Sequence, residues 1–185
     1  MNDQSPGAVL LNNDLRAAIR TIPDFPKPGI MFRDITTLIK DPILLRRAVD
    51  VLAEHYRDAR IEMVIAVESR GFILGAPLAY KLGAGFVPVR KPGKLPAPTA
   101  RQEYTLEYGS DAVEVHRDAI TPGARVLLHD DLLATGGTIL AATKLVELLG
   151  GDIAGISFLV ELSFLNGRKR LGGREIFSLI QYDSE

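Results

Sequence analysis

Residues 126–138 read VLLHDDLLATGGT: an apolar run, two adjacent acids and a loop of small residues, in that order. Val126, Leu127 and Leu128 have the character of a strand buried on both faces of a parallel sheet, and Asp130 and Asp131 are expected to mark its end. Side chains alternate along an extended chain, so the two carboxylates point to opposite sides. Each needs a partner of its own, whether a sugar hydroxyl, a hydrated divalent cation or a basic side chain. Ionised carboxylates only accept hydrogen bonds, which suits the vicinal hydroxyls of a pentose and repels a phosphate. The loop has the reverse character. Ala134, Gly136 and Gly137 let backbone N–H groups converge, while Thr135 and Thr138 add hydroxyl donors. Apolar Ile139, Ala142, Val146 and Leu149, widened by Leu145 and Leu148, set a helix over 138–149 that Gly150 and Gly151 stop. The loop is therefore a helix N-terminus, where free N–H groups and the dipole favour a phosphate by about 0.3–1 kcal/mol per exposed contact. No GxxxxGK[ST] string occurs in the chain, so the Walker-type phosphate loop is excluded.

Working outward, residues 63–67 (MVIAV) form a second buried-strand run, and Glu68-Ser69-Arg70-Gly71 leaves its end as a turn that offers backbone N–H groups and a guanidinium. Arg90, Lys91 and Lys94 follow a strand over 85–89. Such clusters are usually solvated faces, but their Pro92-Gly93 setting points to a positioned loop. Upstream, FPKPGIMFRDIT at 25–36 has too much proline for a helix or central strand and is too apolar for a solvated linker. Phe32 is suited to stack on a flat heterocycle, with the main chain of Met31 and Arg33 presenting N–H and C=O groups to its edge. Taken without the other blocks, the same apolar residues would simply seal the core.

Together the blocks at 25–36, 68–72, 90–96 with 104–109, and 126–138 resemble the type I phosphoribosyltransferases, and within them the adenine phosphoribosyltransferase family. Leu159-Val160-Glu161-Leu162 and the segment 177–182 carry the likeness nearly end to end. One departure is His129, where an aliphatic residue is usual; it is read as facing a helix and not as catalytic. The resemblance implies transfer of the 5-phosphoribosyl group from phosphoribosyl pyrophosphate to adenine, giving AMP and pyrophosphate with inversion at the anomeric carbon. It implies Asp130 and Asp131 on ribose, and Ala134, Thr135, Gly136, Gly137 and Thr138 on the 5′-phosphate. Ser69, Arg70, Arg90, Lys91 and Lys94 fall on pyrophosphate, and Met31, Phe32 and Arg33 on adenine. It also implies a non-proline cis peptide between Glu68 and Ser69, and a homodimer in which one or more of the basic residues can reach across the interface. Magnesium is the implied cofactor, held mostly by substrate oxygens and water, so no metal-ligating residues are assigned.

Residues 94–109 look like a long excursion ending in a hairpin over 104–116, the form a flexible lid takes. A lid suits chemistry in which the sugar carbon becomes oxocarbenium-like and must be kept from water. As the base attacks, a proton must leave it, and Glu107 is the carboxylate best suited to general acid/base work worth roughly 10²–10⁴-fold. Tyr108 is placed to close the site or orient the leaving group.

Composition agrees. At 185 residues and 46% hydrophobic content the chain can bury one substantial core. A net charge of −1 gives no footprint for nucleic acid, and Arg168, Lys169 and Arg170 read as a surface loop. There are no cysteines, hence no disulfides or thiolate metal sites, and the three histidines lack ligand spacing. No apolar run approaches about 18 residues and no signal pattern opens the chain, so a cytoplasmic protein with no membrane partner is expected. The expected fold is α/β: a mostly parallel twisted sheet with helices on both faces, from strands at 63–67, 85–89, 125–129 and 153–162 and helices at 14–20, 42–56, 75–82 and 138–149. Residues 1–36 would form an N-terminal helix and base-binding hood, and 37–185 the core. Two other functions fit parts of the pattern: transfer to a 6-oxopurine, and a non-catalytic sensor of phosphoribosyl pyrophosphate.

Overall fold

The computed structural model describes residues 14–105 and 110–184. Its centre is a sheet of five strands, all parallel, in the order β4-β3-β7-β8-β9: β3 (Met63–Val67), β4 (Gly85–Val89), β7 (Arg125–Leu133), β8 (Asp152–Leu162) and β9 (Ile176–Tyr182). Strand pleating divides the core in two. Val64, Leu127, Leu159 and Leu179 face α2 (Pro42–His55) and α3 (Gly71–Leu82). Ile65, Leu128, Ile156 and Phe158 face α4 (Gly137–Leu148) and the antiparallel hairpin β5 (Thr99–Thr105) with β6 (Ser110–His116). Both faces are thus covered, as runs apolar on successive residues require.

The hood is a two-stranded antiparallel pair, β1 (Arg20–Ile22) and β2 (Phe32–Asp34), followed by the short helix α1 (Thr36–Ile39). Leu15, Ile19, Ile35 and Leu38 root it in the first core. The Arg20 guanidinium pairs with Asp34, and with the Thr36 N–H it lowers the Asp34 carboxyl to about 2. Helix α2 begins as read from Asp41-Pro42: the Asp41 carboxylate accepts from the N–H groups of Ile43 (2.8 Å) and Leu44 (3.1 Å).

Four boundaries differ from the sequence reading. Residues 14–18 are helical, but Arg20 already belongs to β1. Helix α3 starts at Gly71 and not at 75; Pro77 lies inside it and forfeits one backbone bond, which burial of Leu74, Gly75 and Leu78 against β3 offsets. Strand β5 already starts at Thr99, because Ala100 joins Val113 and Val115 in the second core. Most consequential, β7 does not stop at the two acids. It continues to Leu133 because Leu132 and Leu133 pair with Val160 and Glu161 of β8 and Leu133 is fully buried.

Candidate active site

The acids therefore sit within the C-terminal end of a central strand, and their side chains are fixed by two different neighbours. Asp131 is buried and its carboxylate meets the Arg70 Nε at 2.5 Å. Asp130 turns its carboxyl inward against Gly71, where a Cβ would lie only 3.0 Å from Oδ1. That oxygen also accepts from the Asp131 N–H at 2.8 Å. Burial, then the adjacent Asp131 charge, raises the Asp130 carboxyl well above the ordinary carboxylate range. A ligand that supplies hydroxyl donors or positive charge at this point relieves that penalty.

Beyond Leu133 the chain makes the small-residue loop. Gly136 is the N-cap of α4 in the left-handed region (φ 80°), and no side chain caps the helix. Among the described residues no side chain caps its first-turn N–H groups, which leaves them available to an anion in the loop.

The turn after β3 carries the cis peptide expected between Glu68 and Ser69. Arg90 pairs with the Glu68 carboxylate. Burial pushes that carboxyl up, but the Arg90 hydrogen bond and charge, the Lys91 N–H and the Lys94 charge outweigh it and leave it below the ordinary value. Lys91 donates to Tyr104 OH at 2.8 Å and pairs with Asp111, tying the basic segment to the hairpin. Burial lowers the Lys91 ammonium, yet those two partners raise it above its usual value on balance. Three of the four basic residues assigned to pyrophosphate are thus already held by carboxylates, Arg70 by Asp131, Arg90 by Glu68 and Lys91 by Asp111; Lys94 is exposed.

Ser69, Arg70, Lys91, Asp130, Asp131, Ala134 and Thr138 line one cleft of about 430 Å³, with Val67, Glu68 and Leu132 completing its wall. Arg90 and Lys94 lie outside that lining, and so do Thr135, Gly136 and Gly137; Gly137 lines a separate pocket beside Tyr104 and Leu140. Arg70 also connects the cleft to the hood: its guanidinium carbon is 5.6 Å from the centre of the Phe32 ring, which packs edge-on against Phe25 at 5.0 Å. Arg33 sends its side chain to the Tyr182 ring (4.1 Å) and to Thr21 Oγ1 (2.5 Å), leaving its main chain on β2. Strand β2 pairs with β1 on one edge only, so among the described residues its other edge has no strand partner, near Met31 and Phe32. Glu107 and Tyr108 lie outside the described residues. His129 is fully buried in β7 beside Gly75 of α3, with Nδ1 2.9 Å from Ser157 Oγ. A larger groove of about 800 Å³ along α2, beside Ile43, Asp50 and Phe177, contains none of these residues.

The Phosphoribosyl transferase domain family matches residues 35–172, which takes in the cleft. The adenine phosphoribosyltransferase of Acidobacterium capsulatum is 60% identical over 168 residues, 91% of this chain and 93% of that protein. The chain belongs to the adenine phosphoribosyltransferase family. Solved members of the family share the fold. The enzyme of Thermoanaerobacter pseudethanolicus superposes with a TM-score of 0.90 at 54% identity, covering 92% of this chain and 99% of that one. That of Saccharomyces cerevisiae, complexed with an imino-altritol bisphosphate and adenine, gives 0.87 at 39% identity over 92% and 99% of the two chains.

Several residues packed around the cleft and its loop escaped the reading of residue types. Gly71 leaves room for the Asp130 carboxyl, and Gly167 packs its backbone against the 134–136 loop. Arg168, read as surface, forks onto Glu161, which is buried. Only the Asn166-Gly167 turn signal and an acid in the apolar run 156–162 hinted at the last two.

Proposed function

We propose that this chain transfers the 5-phosphoribosyl group of phosphoribosyl pyrophosphate to adenine, releasing pyrophosphate and AMP. The observation that carries the reading is one cleft in which the two acids, Ala134 and Thr138 at the ends of the small-residue loop, and the Ser69-Arg70 turn meet, with Arg70 reaching the hood ring. The 5′-phosphate takes the N–H groups and hydroxyls of residues 134–138. The ribose hydroxyls donate to Asp130 and Asp131. Pyrophosphate takes Ser69 and Arg70, with Arg90, Lys91 and Lys94 at the rim, and Arg70 exchanges its bond to Asp131 for one to phosphate as substrate enters. Adenine lies against Phe32 and is read at its edge by the main chain of Met31 and Arg33.

With both partners held, the C1′–O bond to pyrophosphate breaks as N9 closes from the opposite face, which inverts the anomeric carbon. Positive charge on the sugar is greatest between those two events, and the Asp130 and Asp131 carboxylates oppose it. The N9 proton passes to Glu107, and Tyr108 closes over the leaving group. Two adjacent carboxylates are hard oxygen donors of the kind magnesium accepts beside substrate oxygens and water, so Asp130 and Asp131 suit it; bound there it would neutralise the departing pyrophosphate. A homodimer and a cytoplasmic location belong to the same reading. Exposed Ile43 and Tyr80 supply apolar surface for the first, and a cysteine-free sequence suits the second.

The test is turnover. Protein mixed with phosphoribosyl pyrophosphate, magnesium and one purine base at a time is expected to release pyrophosphate and form AMP with adenine. Nucleotide from hypoxanthine or xanthine but not from adenine overturns the choice of base, and no nucleotide from any base overturns the reaction.

A further inference from the structure

The 134–136 loop has no side-chain cap of its own, so something else must set its shape. The backbone of Gly167 does. A Cβ on Gly167 would fall 2.3 Å from the Ala134 carbonyl oxygen and 2.9 Å from Leu133 Cδ1, and one on Gly136 would fall 2.9 Å from the Gly167 carbonyl oxygen. Two stretches of main chain therefore touch where only glycine fits on either side. Gly167 opens a short 3₁₀ turn (Gly167–Leu171) entered through Asn166 in the left-handed region.

The next residue pins that turn. Arg168 places Nε 2.7 Å and Nη2 2.7 Å from the two carboxylate oxygens of Glu161, and it donates from Nη1 to the Ile176 carbonyl at 3.0 Å and from Nη2 to Ser178 Oγ at 3.3 Å. Glu161 is 3% exposed and lies on β8 directly beside Leu133, the last residue of β7. One guanidinium thus fixes Gly167 to the strand next to the one that launches the loop.

We propose that Arg168, oriented by Glu161, is a positioning residue for the 5′-phosphate subsite. It touches no substrate and acts through the Gly167 backbone on the placement of the N–H groups at 134–138. The proposal rests on the phosphoribosyl transfer argued above, and concerns how tightly the phosphate end is held. A planar fork cannot be replaced by a point charge, so Arg168→Lys keeps the sign and loses the geometry. Displacement of binding groups by about an ångström costs up to roughly a hundredfold.

Expected for Arg168→Lys is a KM for phosphoribosyl pyrophosphate raised about tenfold, and a KM for adenine within about twofold of the parent. Glu161→Gln is expected to move the same constant in the same direction, and the double variant to be no worse than the poorer single one. Ribose 5-phosphate titrated by calorimetry reads the subsite without turnover, and its affinity should fall by the same factor in both variants. An unaltered ribose 5-phosphate affinity, or equal losses toward both substrates, overturns the brace. Should either variant fail to fold, Gly167→Ala, which leaves the ion pair alone and pushes on the Ala134 carbonyl, must show the selective loss for the proposal to stand. Absence of turnover in the parent protein would defeat the reading of function, while the calorimetric comparison would still decide the brace.

Discussion

Removing one charge from Asp131 changes two contacts at once, because its carboxylate both accepts from Arg70 and lines the cleft where the sugar is proposed to bind. Asp131→Asn is expected to fold and to lower kcat/KM for phosphoribosyl pyrophosphate by about a hundredfold, the scale of losing one preorganised charge-stabilising group from an active site. Steady-state assays alongside a thermal melt check this; activity within about twofold of the parent would take Asp131 out of the sugar subsite. His129 makes a different prediction. Burial holds its imidazole at about 4, against 6.5 in an unfolded chain. Between those values the unfolded state binds more protons, so stability is full above about pH 6.5 and declines as pH falls toward 4. The complete shift is worth roughly 3 kcal/mol. Urea unfolding at pH 7.5 and pH 5 should show a drop for the parent that His129→Leu lacks; equal drops would place the pH dependence elsewhere. At this scale the positions of Asp130, Asp131 and Thr138 on one cleft were legible because the strand-to-helix segment that carries them is local. The purpose of Gly71 was not, since it exists only in relation to a carboxyl 59 positions later in the chain, brought there by the β3-β7 pairing.

Strand β7, the 134–136 loop and α4 run on without a break, so the strand fixes where the acids stand and the uncapped helix start lies a few residues beyond them. Gly136 carries the turn between them at φ 80°. An alanine there adopts left-handed backbone at about 1–2 kcal/mol and presses on the Gly167 carbonyl 2.9 Å away. Gly136→Ala should therefore raise the KM for phosphoribosyl pyrophosphate by about tenfold or more and lower the melting temperature, with KM for adenine little altered; a selective effect on adenine instead would contradict the phosphate role of the loop. Elements were readable where periodicity or capping was strong. Strands 63–67 and 85–89 and the Asp41-Pro42 start of α2 stand where the sequence put them. The boundaries that moved are those decided by partners distant in sequence. Helix α3 starts early despite Pro77 because β3 buries its first turns, and β7 runs past its acids because β8 offers it pairing.

In the whole molecule the cleft lies at the C-terminal edge of the sheet and adjoins two other units: the hood rooted in the first core, which Arg70 meets at Phe32, and the hairpin of the second core, which holds Lys91 through Tyr104 and Asp111. A ligand that spans them should stabilise all three together. At a hundred times its dissociation constant AMP adds about 2.7 kcal/mol, or roughly 5–10 °C of melting temperature for a chain of this size. Adenosine at the same concentration, which lacks the phosphate, should give a smaller shift; equal shifts would mean that the loop takes no part. Glu107→Gln should melt like the parent and bind AMP normally while losing most of its turnover, and full turnover would remove Glu107 from the proton transfer. The parallel sheet and its two covered faces followed from apolar runs and their order. How the basic residues are shared between substrate and protein did not, since charge pairing depends on which carboxylates folding brings near. A crystal structure of the protein with AMP is the most direct test of the claim that the end of β7 and the start of α4 grip a ribose 5-phosphate. The account predicts the phosphate within hydrogen-bonding distance of the N–H groups of residues 135–138 and the ribose hydroxyls on Asp130 and Asp131. A phosphate bound instead among Arg90, Lys91 and Lys94, with the two aspartates free of the sugar, would contradict it.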